Sequence, residues 1–261
     1  MKTDSENWMA ERGTLSTSVN GQAQGDQRSG RTGRVSNLRK SYRQIRDMIV
    51  HGRLAPGSRV VEAELAEHFG VSRTPVRGAL HMLQGEGFIN SASGDRTKER
   101  LTVAPLTKED AGELYAIIGH LEGLAARKTA QLDLAARSVV IHKLRELNEG
   151  LRELGLAGRE DPNLIFNLDL SFHQTVVDVS AGPRLRRLLK AVKPQSERYW
   201  RLYASGIVKQ LGVMVDEHSV IIQALEQGDC DRAERAIQTN WLNGAERLFR
   251  VIDTIGERGS W

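Results

Sequence analysis

Apolar residues that recur at steps of three and four dominate the sequence after Leu106 and constrain its fold most strongly. One such series is Leu144, Leu147, Leu151 and Leu154. This spacing places the apolar side chains on one face of an α-helix. Successive helical segments are separated by Asp161-Pro162, by Pro183 and by Gly228-Asp229. Long amphipathic helices joined by short links predict an antiparallel all-α bundle.

The segment from Leu38 to Val103 has a different order of elements. A helical series begins at Leu38 and is broken by the turn signal Pro56-Gly57. Two further helical segments, EAELAEHF and RTPVRGAL, are separated only by GVS. Two short apolar runs then flank the polar tip NSASGDRTKER, which predicts a small β-hairpin. The order helix, helix, short turn, helix, hairpin is typical of a winged helix-turn-helix domain.

Charge is distributed unevenly between these two halves. Residues 1–105 contain 16 Lys or Arg and 11 Asp or Glu, whereas residues 106–261 contain 21 and 22. A basic N-terminal half indicates a polyanionic partner such as nucleic acid, although charge alone is equally consistent with a solvated basic surface. No apolar run approaches the roughly 20 residues of a membrane helix. Because the chain has one cysteine and no apolar signal core at its N-terminus, we expect a cytoplasmic protein without a membrane partner.

The third N-terminal helix opens with positive charge, in the stretch GVSRTPVRGAL. Ser72 is a favourable N-cap, and Pro75 is compatible only with the first turn of a helix. Since a helix N-terminus carries partial positive charge, Arg73 and Arg77 stand where an acid would be more stable. We interpret this as a binding site for an external anion, with a phosphate backbone as the first candidate.

A carboxylate and two imidazoles are predicted to point into the bundle. Asp169 and His173 lie four residues apart on one helix face, next to its apolar stripe. His218 occupies a core position within an apolar series. Carboxylate and imidazole are ligands of divalent metals such as zinc. The residues alone leave open the alternative that the histidines are simply buried and hydrogen-bonded.

Two parts of the sequence resemble a known family. The N-terminal half resembles the DNA-binding domain of GntR-type bacterial transcription regulators, most specifically through GRLAPG and ELAEHFGVSRTPVR. The helical half resembles the FCD effector domain of the FadR-like subgroup, through DLSFHQTVV and EHSVIIQALEQGD. The resemblance covers roughly residues 38–252.

For the N-terminal half, the resemblance implies that the third helix enters the major groove of double-stranded DNA. Carried over by position, the DNA-binding residues are Ser72, Arg73, Thr74 and Arg77, with Arg59, Arg96 and Lys98 as weaker candidates. For Arg96 and Lys98 in the wing, simple exposure is an equal alternative. The implied partner is a near-palindromic operator bound by a homodimer.

For the helical half, the resemblance assigns metal ligands to Asp169, His173 and His218. Zinc is the expected ion, with nickel or manganese as alternatives. Metal-binding relatives usually place another histidine 22 residues after His218, where this chain has Asn240. An amide is a poorer zinc ligand than imidazole, so Asn240 is predicted to weaken metal binding or to contact an effector directly. Ile118 replaces an arginine that helps many relatives to hold an acidic effector, and the expected effector is a small organic acid.

The predicted fold class is therefore mainly α, with an N-terminal winged helix-turn-helix domain and a C-terminal antiparallel all-α bundle. The predicted domains are a disordered basic arm (1–37), a DNA-binding domain (38–105), an effector-binding and dimerisation domain (106–254) and a tail (255–261).

The predicted function is sequence-specific transcriptional regulation, most simply repression, controlled by a carboxylate effector in a metal-containing bundle. A metal-free effector-binding regulator is one alternative, and an architectural DNA protein without a sensor is another. A metal-dependent hydrolase is a third, which is disfavoured because the chain lacks H-E-x-x-H and a Gly-rich phosphate loop.

Overall fold

The computed structural model describes residues 26–92, 100–158 and 161–260. Most of the described chain is helical, and a single hairpin supplies the strands of that part. In chain order the elements are α1 (Asp26–Val50), α2 (Glu62–Phe69), α3 (Arg73–Gly85), β1 (Ile89–Ala92), β2 (Arg100–Val103), α4 (Lys108–Ala130), α5 (Leu134–Leu156), α6 (Pro162–Ser180), α7 (Pro183–Ile207), a 3₁₀ turn (Val208–Gln210), α8 (Leu211–Gln227) and α9 (Cys230–Ile255).

The helix-turn-helix consists of α2 and α3, which are joined by a tight turn. Gly70 ends α2 in the left-handed conformation, with a φ of 64°, and its N–H donates to the carbonyl of Glu67. This conformation is favourable for glycine and strained for other residues, so Gly70 lets the chain reverse before Ser72. Helix α3 then packs its apolar stripe against α1, with Val76 and Leu83 fully buried.

The wing is formed by β1 and β2, which pair antiparallel with Ile89 opposite Val103. The segment 58–60 runs along the other edge of β2, where Val60 N–H donates to the Leu101 carbonyl over 2.8 Å. Phe88, fully buried, fixes the start of the hairpin to the domain core. The predicted winged helix-turn-helix fold is confirmed, while the tip of the wing, residues 93–99, lies outside the described residues.

Helix α1 begins at Asp26 rather than at Leu38, where the apolar series starts. Residues 26–37, which the sequence analysis assigns to a disordered arm, are therefore helical, and residues 1–25 lie outside the described part of the chain. The physical reason is that helix growth adds one hydrogen bond per residue once a nucleus is fixed by packing, as it is here against α3. Periodicity cannot detect such an extension because its residues are polar.

The C-terminal half is a bundle of α4 to α9. Helix α4 packs along α9, and the two approach closely at Gly119, where a Cβ would lie only 3.0 Å from the Cβ of Trp241. Helix α5 packs against α6 and α8. The shared core contains large buried side chains from four helices, namely Leu144, Leu151, Phe172, Tyr199 and Leu225. The predicted all-helical bundle is confirmed, and its helices α6 and α7 start at Pro162 and Pro183 as expected.

The two domains touch through α1, α7 and the C-terminal segment. Helix α7 packs against α1, and the Arg198 guanidinium donates to the carbonyl of Ala104 in the linker. After α9, Arg258 forms an antiparallel bridge with Leu106 at the start of the helical domain, with N–H to O distances of 2.8 and 3.1 Å. The next residue, Gly259, lies against Gly57 of the DNA-binding domain, where a Cβ on Gly57 would be 2.6 Å from the Cα of Gly259. Across the described ranges, no helix is both long enough and apolar enough to cross a bilayer.

Candidate functional site

The N-terminus of α3 lies open at the surface. Ser72 occupies the N-cap position, but its hydroxyl accepts no capping hydrogen bond from the described part of the chain. Ser72, Arg73 and Thr74 are exposed, whereas Pro75 and Val76 point into the core. The first turn contains no acidic residue. Its free N–H groups, two hydroxyls and the Arg73 guanidinium therefore face solvent together, which is the chemistry of a phosphate-binding surface.

Arg77 is exposed on the same helix but is already engaged. Its Nε and Nη2 donate to the two carboxylate oxygens of Glu62, at the start of α2, over 3.0 and 2.9 Å. The side chain of Arg77 remains 67% exposed, and the contact with Glu62 raises its pKa. Arg73 has no salt bridge within the described residues. An anion at this surface would therefore have to compete with Glu62 for Arg77 but would have no such competitor for Arg73 among the described residues.

Of the remaining DNA-binding candidates, Arg59 is exposed and stands opposite Thr102 on the outer edge of β2. Arg96 and Lys98 lie outside the described residues. Sequence reasoning missed Glu62, which is separated from Arg77 by 15 positions and approaches it only because the turn folds α3 across the start of α2.

Inside the bundle, Asp169 and His173 on α6 meet His218 on α8. One ligand atom from each of the three residues lies within 4.8 Å of the other two. Oδ1 of Asp169 is 3.9 Å from Nε2 of His173 and 3.3 Å from Nε2 of His218. His218 is fully buried, and its ring stacks on Phe172 with centroids 3.8 Å apart. The predicted three-residue cluster thus converges on one point.

His218 lacks the hydrogen bonds expected of a buried imidazole. Neither of its ring nitrogens has a hydrogen-bond partner among residues 26–92, 100–158 and 161–260, because the approach to Asp169 falls short of hydrogen-bond geometry. A buried polar atom without a partner is costly. A divalent cation between Asp169, His173 and His218 would give Nε2 of His218 a partner, so the residues present fit a metal ion.

Glu122 on α4 contacts His173 through the ring nitrogen that does not face Asp169. Nδ1 of His173 donates to Oε2 of Glu122 over 2.7 Å, and Nε1 of Trp241 donates to the same oxygen over 2.8 Å. The other oxygen of Glu122 lies 2.7 Å from Nζ of Lys193. Because Nδ1 is committed to Glu122, the ring of His173 presents Nε2 toward Asp169, an arrangement common for metal-binding histidines.

The electrostatics of the cluster follow from burial and pairing. Burial raises the pKa of Glu122, but Lys193 and His173 outweigh this and hold that pKa well below its usual range. Burial also raises the pKa of Asp169, and the two histidines lower it overall. Burial lowers the pKa of His173, but the charge and hydrogen bond of Glu122, together with the charge of Asp169, have the larger effect, so the pKa of His173 is raised overall. Burial dominates at His218 and lowers its pKa, which favours the neutral imidazole that ligates metals.

Asn240 belongs to a neighbouring polar group. Its Nδ2 donates to Oε2 of Glu217 over 2.9 Å, and Asn243 donates to Oε1 over 2.8 Å. Arg247 is also buried, and its two terminal nitrogens donate to the two oxygens of the same carboxylate over 2.7 and 3.0 Å. Asn240 lines a cavity of about 70 Å³ together with Asp169 and His173. The amide is thus close to the metal cluster, but its nitrogen is committed to Glu217.

A larger cavity opens above the cluster. It has a volume of about 510 Å³, and Asp169, His173 and Trp241 line both it and the smaller cavity. A cation held by the three ligands would therefore face a space of the size that small-molecule ligands occupy. Sequence reasoning found the three residues of the cluster but missed Glu122, Glu217 and Arg247. The one available signal was at Glu122, a lone acid between Leu121 and Gly123, whereas Glu217 and Arg247 each follow another charged residue.

The comparisons with known proteins cover both halves of the chain. The family model "Bacterial regulatory proteins, gntR family" matches residues 39–98, and the "FCD domain" model matches residues 113–241. A Streptomyces ambofaciens protein described as an uncharacterized HTH-type transcriptional regulator is 34% identical over 82% of this chain and 84% of its own length. The probable D-xylose utilization operon transcriptional repressor of Paenarthrobacter nicotinovorans is 32% identical over 74% and 82% of the two chains.

A solved structure agrees on the fold. The chain of E. coli McbR/YncC matches with a TM-score of 0.61 at 21% identity, over 82% of this chain and 97% of that chain. The family and these relatives are transcription regulators rather than enzymes, which excludes the hydrolase interpretation of the buried cluster. The chain belongs to the gntR family of bacterial transcription regulators, and its helical half is an FCD domain.

Proposed function

We propose that this regulator binds a near-palindromic operator as a homodimer and that a small carboxylate, bound beside a divalent metal, controls this binding. The observation that carries the proposal is the buried cluster of Asp169, His173 and His218 beside a cavity of about 510 Å³, in which the ring of His218 forms no hydrogen bond with the described residues and has only the 3.3 Å contact with Asp169. Such a cluster is difficult to explain in a protein that only binds DNA, because burying unpaired polar atoms is costly.

The DNA contacts are assigned to α3. Its exposed N-terminal residues Ser72, Arg73 and Thr74 enter the major groove, and Arg77 joins them by exchanging Glu62 for a phosphate or a guanine edge. Arg59, and the wing residues Arg96 and Lys98, would contact the backbone. In a symmetric dimer the two α3 helices lie about 34 Å apart, one turn of duplex. Because its target is the chromosome, we expect the protein in the cytoplasm.

The metal ligands are Asp169, His173 and His218. Zinc best suits two imidazoles and a carboxylate, and nickel and manganese are the alternatives. When bound, the ion supplies open coordination positions that take a carboxylate oxygen. Asn240 lines the same cavity and offers either a weak fourth ligand or a polar contact to the effector.

Repression relieved by the effector is the proposed sign of regulation. The Paenarthrobacter relative and the NanR proteins of Salmonella are named as repressors, which supports this choice. The effector must bind more tightly to the conformation that cannot span both half-sites, since a ligand with equal affinity for both conformations switches nothing.

The test is a thermal-shift screen of small organic acids against the full chain, with and without added zinc. The proposal expects an acid that raises the melting temperature only when zinc is present and that weakens operator binding in parallel. An acid that acts equally without metal would favour the metal-free alternative. No response to any acid, together with normal operator binding, would leave the architectural alternative.

A further inference from the structure

One residue of the DNA-binding domain lines the large cavity of the helical domain. Most of its lining side chains belong to α6 and α7, and Trp241 belongs to α9. Arg46 also lines it, and Arg46 lies on α1, the helix against which α3 packs. A molecule that fills this cavity therefore touches both domains at once.

Arg46 is connected to the end of the recognition helix. Its guanidinium carbon lies 5.5 Å from the ring centroid of Tyr42, one turn earlier on α1. The Tyr42 hydroxyl donates to Oε2 of Glu86 over 2.6 Å, and Glu86 is the C-cap residue of α3. The backbone carbonyl of Glu86 in turn accepts a hydrogen bond from Gln195 on α7. Two direct contacts thus link Arg46 to the C-terminal end of α3.

The basic side chains around the cavity differ in their partners. Lys193 is neutralised by Glu122 at 2.7 Å. The guanidinium of Arg186 donates to the carbonyls of Ala181 and Asp178, at the end of its neighbouring helix. Arg46 is only partly exposed, and no salt bridge joins it to an acid of the described residues. Its guanidinium therefore reaches the cavity without a salt bridge of its own, on a lining that it shares with Lys190 and with the acids Asp169, Asp178 and Glu197.

We propose that Arg46 binds a second anionic group of the effector, so that the ligand is a dicarboxylate that links the metal end of the cavity to the DNA-binding domain. This inference rests on the proposed function, because it places the first carboxylate at Asp169, His173 and His218. The ligand-bound protein then holds α1 against α6 and α7, and the Tyr42–Glu86 contact carries that constraint to α3.

The experiment compares acids matched in carbon number. Succinate and glutarate carry two carboxylates, whereas butyrate and valerate carry one and serve as the probes for the metal end alone. Melting temperatures of the zinc-loaded full chain are measured against each acid for the wild type, Arg46→Gln and Arg43→Gln. Arg43 is exposed on α1 and does not line the cavity, so it controls for loss of one charge from the same helix.

In the wild type and Arg43→Gln, the dicarboxylates are expected to half-saturate at about tenfold lower concentration than the matched monocarboxylates. In Arg46→Gln this advantage disappears, while the response to butyrate and valerate is kept. Circular dichroism and the melting temperature without acid establish that Arg46→Gln is folded.

Equal responses to both classes in the wild type would overturn the proposal, as would a dicarboxylate advantage that survives in Arg46→Gln. A wild type that no dicarboxylate stabilises overturns it as well. Operator binding and zinc content, measured on the same samples, report separately on the proposed function, so its failure is distinguishable from a failure of the Arg46 assignment.

Discussion

The DNA-binding domain carries its functional side chains on the surface, whereas the helical domain carries them in its core. Arg73 and Arg77 are exposed, and their positive charges are balanced by solvent or by one exchangeable acid, Glu62. His173 and His218 are buried, where each charge or lone pair needs a fixed partner. Under the proposed function, one chain uses charge in two ways: exposed arginines bind a large polyanion, and a buried hydrogen-bonded network holds a small ligand.

The largest effect is expected for a substitution in the core of the helical domain, measured as zinc affinity. Changing His173→Ala removes one of three metal ligands, so we expect the affinity for zinc to fall at least about 100-fold. Operator affinity without effector stays within about twofold, because the three residues of the cluster lie on α6 and α8 of the other domain and leave the exposed end of α3 unchanged. Elemental analysis and fluorescence anisotropy check the two results. His142→Ala, on the exposed face of α5, is the control, and stoichiometric zinc in His173→Ala would contradict the metal assignment.

On the surface, Arg73→Ala and Arg77→Ala are each expected to weaken specific operator binding about 10- to 100-fold, because a good arginine contact discriminates strongly between sites. The melting temperature changes little, since both side chains are exposed. A duplex-shift assay measures the affinity, with Arg152→Ala on α5 of the other domain as the control. Specific binding that is unchanged in both variants would refute α3 as the recognition helix.

A smaller loss of zinc affinity is expected when Glu122, which contacts His173 and Lys193, is changed. Glu122→Gln leaves Nδ1 of His173 and Nζ of Lys193 facing a neutral amide, so zinc affinity should fall about tenfold. The melting temperature should also fall, because Lys193 keeps its charge without a carboxylate. Glu197→Gln removes an acid that lines the same cavity but pairs with Arg201, and isothermal titration should show no loss there. Equal losses in both variants would argue against a positioning role for Glu122.

The substitution Asn240→His tests whether a side chain at position 240 can bind the metal ion. An added imidazole in the cavity that Asp169 and His173 line should tighten zinc about tenfold. Glu217 keeps its contacts with Arg247 and Asn243, so the fold should tolerate the change. Competition with a zinc-binding dye measures the affinity, and Asn240→Ala is the matched variant. A similar zinc affinity in the two variants would mean that position 240 does not reach the ion.

The smallest effect is expected on operator affinity, when the exposed ion pair between Glu62 and Arg77 is weakened. Glu62→Gln weakens the hold on Arg77, so operator affinity should rise about two- to threefold, in line with the small energy of exposed ion pairs. Glu64→Gln removes the same charge from an exposed neighbour and controls for net charge. Anisotropy titrations at two salt concentrations compare the variants, and identical gains would mean that only net charge matters.

Much of the candidate site was predictable because it is local. The Asp169–His173 pair follows from a spacing of four on a helix, and the position of His218 follows from its apolar series. Ser72, Arg73 and Thr74 follow from the sequence signals of a helix N-terminus. Glu122 and Arg247 could not be predicted, because their partners His173 and Glu217 lie 51 and 30 residues away along the chain. The early start of α1 was missed because its first turns carry no apolar period.

By itself the sequence determined the two kinds of domain, the open end of α3 and the helix faces that carry Asp169, His173 and His218. Each of these depends on interactions between residues a few positions apart, which periodicity and capping rules describe. Only the tertiary structure decided which charges became partners: Glu62 with Arg77, Glu122 with His173 and Lys193, and Arg46 at the cavity. Those contacts depend on how helices pack across long sequence separations, which local pattern does not encode.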